Sequence, residues 1–170
     1  SYLVEAMKER ESVVFPFMDL SDRMRRMAYF GEWEAALDFF ARQVDKKAVL
    51  RDVIYQESTI KTLMVAYMGL TDYFIIWPEF EAGRGFSDLY LMPNLANYPD
   101  MQYSYLVELK FLKRDDTTTD VEALLQEAEK QLHRYATDEK ILSSTGNTRL
   151  RLLAAVYCGW QPEAMREFVL

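Results

Sequence analysis

The segment Tyr105-Leu106-Val107-Glu108-Leu109-Lys110-Phe111-Leu112 has the branched and aromatic content of a strand buried on both faces, yet it carries a carboxylate and an ammonium two residues apart. Side chains alternate along a strand, so Glu108 and Lys110 point to the same face, with Leu106 and Leu112 on either side of them. Burying either charge without a partner is costly, so a fold that accepts this strand must also give those charges a purpose. Twenty positions before Glu108 comes Asp88, at the end of Gly83-Arg84-Gly85-Phe86-Ser87-Asp88. Phe86, Asp88 and Tyr90 share a face by the same alternation. If the two strands are neighbours in register, Asp88 and Glu108 come within reach of one ion.

The rest of the chain is consistent with that arrangement. Residues 1–50 read as helical, because Trp33, Ala36, Leu37, Phe40 and Val44 recur at spacings of three and four while Glu32, Glu34, Asp38 and Arg42 fall elsewhere on the wheel; Pro16 and Gly31 punctuate them. A second helical stretch covers residues 51–68, with Val53, Glu57, Ile60, Met64 and Tyr67 on one stripe, so Glu57 is the odd member of an apolar face. After Gly69 three strands follow, over 73–77, 85–92 and 103–112, with a polar turn at 93–102 between the last two. Thr119-Asp120-Val121-Glu122 has the pattern of a capping box, and the helix after it lines up Val121, Leu124, Leu125, Ala128, Leu132 and Tyr135. Gly146-Asn147 marks a turn, 150–157 reads as a fourth strand, and 162–169 as a short closing helix. The expected fold is α/β: helix, three strands, helix, strand, with a helical lead-in.

Composition removes several classes of function. With 170 residues, 50% hydrophobic and 28% charged, the chain can bury a sizeable core. No run of about eighteen apolar residues and no signal-peptide pattern is visible, so a cytoplasmic setting is expected. One cysteine, Cys158, and one histidine, His133, leave no zinc-site spacing, so any metal must be held by oxygen ligands. Cys158 reads as a small core residue and His133 as part of a solvated helix face. A net charge of -7 argues against a broad basic surface for nucleic acid. Local convergence of Arg84, Lys110, Lys113, Arg114, Lys130, His133, Arg134, Arg149 and Arg151 on one face is the way around that objection.

Two carboxylates that share a pocket repel, and a divalent cation removes the repulsion. Mg²⁺ or Mn²⁺ suits such a pocket, because it takes a few carboxylates and leaves room for substrate oxygens. The cation eases deprotonation of water and offsets charge on a phosphorane and its leaving oxygen, while Lys110 helps the deprotonation or stabilises the anion. Phosphodiester hydrolysis is the chemistry these groups support.

Asp88 followed by Glu108-x-Lys110, on a helix, three strands, helix, strand chain, resembles the PD-(D/E)XK nuclease superfamily, the restriction-endonuclease-like fold, over roughly residues 50–160. More narrowly, the stretch from Glu79 to Leu89 and the one from Tyr105 to Lys110 look like the C-terminal nuclease domain of bacterial proteins that carry an AAA-ATPase-like domain at the N-terminus. The resemblance implies that Asp88 and Glu108 bind the metal and that Lys110 is catalytic. It also implies an acid from the first core helix, matched by Glu57 with Asp52 as competitor, and a catalytic Gln131 on the second. The implied organisation is a lead-in or linker to an upstream domain over 1–50 and a nuclease-like domain over 51–170. Because the chain opens at Ser1 inside a helical pattern, a piece of a longer polypeptide is expected.

Plainer readings compete with these. An isolated Glu-x-Lys is usually an exposed strand pair, and Asp88 alone is commonly a strand-start residue. Glu57 could be a solvated helix acid, and Gln131 needs no explanation beyond helix propensity. Gly83 and Gly85 open no helix, so they read as a turn and not as a phosphate cradle. Ser87 and Phe86 stand where this family usually has Pro and Arg. With the acidic balance, they motivate an alternative: a module that keeps the fold without turnover and binds nucleic acid or protein next to an ATPase-like domain. Docking of the first 50 residues onto that domain is compatible with either.

Overall fold

The computed structural model describes residues 16–46, 57–82, 85–113, 118, 120–159 and 161–170, and of 44–46, 57–59, 82, 86 and 87 it describes the backbone. Five strands form one sheet in the order β1-β2-β3-β4-β5: β1 Phe74–Ala82, β2 Gly85–Pro93, β3 Tyr103–Leu112, β4 Arg149–Cys158 and β5 Gln161–Phe168. β3 and β4 run parallel, and the other neighbours are antiparallel. Parallel neighbours need a crossover, and the helices α4 Val121–Tyr135 and α5 Glu139–Ser144 occupy it. Among the described residues three helices precede the sheet: α1 Phe17–Phe30, α2 Trp33–Lys46 and α3 Glu57–Met68.

Alternation along the strands sorts the side chains into two cores. Leu89, Leu91, Tyr105, Val107, Leu109, Leu153, Ala155 and Tyr157 pack with α1, α2 and α3 on one face. Tyr90, Leu106, Leu150, Leu152, Ala154 and Val156 pack with α4 and α5 on the other. The middle strands are therefore apolar on both sides, as strands covered by helices on both faces must be. Polar ties fix the first layer: the Tyr105 hydroxyl donates to the Met27 carbonyl at 2.6 Å, and the Gln102 N–H to the Ala28 carbonyl at 3.2 Å. Gly31 ends α1 in the left-handed region at φ 73, and a Cβ there would run into the Arg151 guanidinium.

Most of the expected elements are present, including the break at Gly31, the buried Ile60, Met64 and Tyr67 of α3, the turn at Gly146, and buried Leu125, Ala128, Leu132 and Tyr135 on α4. Arg51 to Gln56, with Val53 and the competing acid Asp52, lie outside the described residues. Three expectations are corrected. The closing segment is a strand: Cys158 pairs with Gln161, which leaves a two-residue connection with Gly159 at φ 64, and β5 then follows the edge of β4. Its apolar spacing fits a helix, but eight residues of isolated helix satisfy few backbone groups, whereas the open edge of β4 satisfies them along its length. Pro162 is tolerated there because β5 is itself an edge. The cap of α4 is Asp120, whose carboxylate accepts the Glu122 N–H at 2.9 Å; Thr119 lies outside the described residues.

The third correction concerns the basic residues. Arg149 and Arg151 pair in register with Tyr103 and Tyr105, at the start of β3, whereas Lys110 lies near its end. At 3.3 Å per residue that is a separation of about 20 Å. Arg151 is engaged by Glu167 and lies over the Tyr103 ring, with 5.0 Å to its centroid. His133 faces Glu129 on an exposed helix side, Lys110 turns to α4, and Arg84 and Arg114 lie outside the described residues. Cys158 is half-buried.

Candidate active site

The backbone ladder between β2 and β3 ends at Leu89 and Val107. One step further, side chains take over from backbone. The Asp88 N–H donates to Glu108 Oε1 at 3.2 Å, and the Leu109 N–H donates to Asp88 Oδ2 at 2.8 Å. The two acids thus sit at the point where paired strands separate, and by alternation Glu108 shares the face of Leu106 that α4 covers. Each carboxylate is oriented by a main-chain donor.

Electrostatics follow from burial. Glu108 is only 4% exposed, and desolvation, with the Asp88 charge added, pushes its carboxyl up to about 8 against the pull of the Asp88 N–H and Lys110. An acid in that position holds a proton at neutral pH unless a cation replaces it. Burial, and then the charges of Glu108 and Asp88, push the Tyr135 phenol up; Tyr135 lies beside Gly85, where an added Cβ would be 3.2 Å from the phenol oxygen. Below Asp88 the Tyr90 hydroxyl meets Ser144 Oγ at 2.6 Å, which ties α5 to the floor of the cleft.

Lys110 crosses from the sheet to α4. Its Nζ lies 3.0 Å from Gln131 Oε1 and 3.3 Å from Glu127 Oε1, so the helix side chains hold the ammonium at the rim of the cleft. Gln131 thus contacts Lys110 directly. Glu57 opens α3, and its side chain lies outside the described ones. Among the described residues no three acids, histidines or cysteines group closely enough to hold a metal ion.

A family model of the PD-(D/E)XK nuclease superfamily matches residues 55–167. The chain belongs to this superfamily. No curated protein and no solved structure matches it significantly. Superfamily membership agrees with the helix, three strands, helix, strand core described above, and PD-(D/E)XK nucleases typically use divalent metal ions. The donor set fits such an ion: two adjacent carboxylates, one with a raised proton affinity that a cation would replace.

The sequence reading missed Lys61. Its Nζ lies 3.2 Å from Asp88 Oδ1 and 3.3 Å from Glu79 Oε1, and its side chain is 14% exposed. The one available signal is its position on α3, one turn after Glu57 and next to Ile60 of the buried stripe. Glu79 is also unexpected: at φ 51 it leaves the β1–β2 ladder opposite Asp88, between the pairs Pro78–Leu89 and Phe80–Ser87.

Proposed function

We propose that the protein is a Mg²⁺- or Mn²⁺-dependent nuclease that hydrolyses phosphodiester bonds of DNA. The observation that supports this most is the pair of main-chain to carboxylate hydrogen bonds at the end of the β2–β3 ladder, Asp88 N–H to Glu108 and Leu109 N–H to Asp88, with Lys110 two residues beyond Glu108 on the same face. Asp88 and Glu108 would hold the ion, with Glu57 as the third acid that the family resemblance implies. When bound, the ion lowers the proton affinity of water and offsets charge on the phosphate. Main-chain donors orient the two carboxylates, the Asp88 N–H that of Glu108 and the Leu109 N–H that of Asp88. Lys110, fixed by Gln131 and Glu127, places an ammonium against the negative charge that builds on the phosphorane oxygens. Gln131 acts by positioning Lys110.

The test is cleavage of plasmid and linear DNA in Mg²⁺ or Mn²⁺, beside Lys110→Ala. The substitution lowers the rate by about 10²- to 10⁴-fold, as loss of an acid–base or charge-stabilising group does, with the circular dichroism unchanged. Cleavage at the parental rate by Lys110→Ala removes the assignment.

A second reading, a nuclease-fold module that binds without turnover, draws on the Lys61–Asp88 ion pair and on the net charge of -7. A protein with no measurable Mg²⁺ or Mn²⁺ affinity leaves this reading alone. In either case residues 1–50 would lead in from an upstream AAA-ATPase-like domain of the same polypeptide. Binding between the two separated domains checks that link.

A further inference from the structure

Both oxygens of Asp88 are already engaged. Oδ2 accepts the Leu109 N–H, and Oδ1 faces the Lys61 ammonium. The pair is well covered, with side-chain exposures of 14% for Lys61 and 18% for Asp88, so solvent screens it less than a surface pair. Glu79 steadies the ammonium from the other side, and its left-handed backbone lies opposite Asp88 in the neighbouring strand. An ammonium cannot ligate a metal ion, and it repels one.

We propose that Lys61 is the resident counter-cation of the acidic cleft: it neutralises Asp88 in the metal-free protein and must give up Asp88 Oδ1 before a divalent ion can bind there. Lys61 is a positioning residue in this account, and it sets metal affinity by competition. The site therefore exchanges one internal cation for an external one. That exchange balances the charge of the two carboxylates in the folded protein and weakens metal binding. This inference rests on the reading of Asp88 and Glu108 as metal ligands.

Isothermal titration with Mn²⁺ in the absence of nucleic acid, on the parent, Lys61→Gln, Lys61→Arg and Asp88→Asn, tests it. Lys61→Gln binds Mn²⁺ about tenfold more tightly than the parent, Lys61→Arg stays near the parent because the charge is kept, and Asp88→Asn loses binding. Parental or weaker affinity in Lys61→Gln, with binding still lost in Asp88→Asn, overturns the role of Lys61 and leaves the metal-site reading standing. Failure of every variant and of the parent to bind overturns both. A second measurement needs no altered protein beyond an assignment control. In the parent labelled at the lysine Cε carbons, the Lys61 resonance, assigned by its loss in Lys61→Arg, moves in step with Mg²⁺ occupancy. A resonance that stays in place through saturation contradicts the displacement.

Discussion

Glu108 is the residue on which the site's chemistry turns. Its carboxyl is raised from 4.5 to about 8, chiefly by burial and then by Asp88. The folded state therefore keeps a proton that the unfolded chain loses above about pH 4.5. Where the native state binds more protons than the unfolded one, stability falls as pH rises. In EDTA, this group makes the protein lose stability between about pH 4.5 and about pH 8 and level off above that, read as urea midpoints across the range. Glu108→Gln, which cannot ionise, flattens that part of the profile; an unchanged slope in Glu108→Gln places its origin elsewhere. Asp88, Glu108 and Lys110 were legible in the sequence because strand alternation has a period of two and charge inside an apolar run needs a reason. Lys61 was not legible, because its partner lies 27 residues along the chain on another element, and a helical wheel does not reveal a contact across a sheet.

At the scale of elements, α4 is the part that turns a sheet face into a cleft. Leu125, Ala128 and Leu132 seat it on β3 and β4, and the opposite edge presents Gln131 and Glu127 to Lys110. Its first turn is fixed by Asp120 and by the Arg166–Glu122 ion pair, with 2.7 Å between Nη1 and Oε1, which also binds β5 to the helix. Asp120→Ala removes a side-chain cap and lowers stability by about 1 kcal/mol in thermal or urea unfolding. Mn²⁺ affinity stays at the parental value, because Asp88 and Glu108 lie on β2 and β3 and the proposed third acid, Glu57, on α3. An affinity loss as large as the stability loss indicates that α4 orders the carboxylates as well. The pattern of α4 was readable from its apolar periodicity, and the cap was misassigned by one residue because Thr119 and Asp120 are both good caps. β5 was misread because the segment's composition suits a helix and only the vacant edge of β4 makes it a strand.

Over the whole molecule, the sheet is the shared wall of two cores, and α1, α2 and α3 fill the first of them. Met24 and Met27 are fully buried against it, and the Tyr105–Met27 hydrogen bond links α1 to the strand that bears Glu108. The helices ahead of the sheet are thus part of what supports the strand that bears Glu108 and Lys110. Met24→Ala costs about 2–5 kcal/mol, and in hydrogen exchange the slowest amides of α1 and of β3 share one opening free energy. Exchange in which α1 opens far below β3, with the sheet intact, contradicts this shared core. No described helix is long and apolar enough to cross a membrane. The α/β class and the succession of elements along the chain up to β4 could be read from periodicity, which reports faces. The union of α1 and α2 with the sheet could not, because which faces meet is decided by packing between distant segments.

The central claim is that Asp88 and Glu108 bind one divalent ion beside Lys110. The most direct measurement is anomalous diffraction from a crystal soaked in Mn²⁺. The account predicts a single strong peak beside the Asp88 and Glu108 carboxylates, with Lys61 displaced from Asp88. Crystals that show no peak between the two carboxylates at saturating Mn²⁺, with the Lys61–Asp88 pair intact, contradict it.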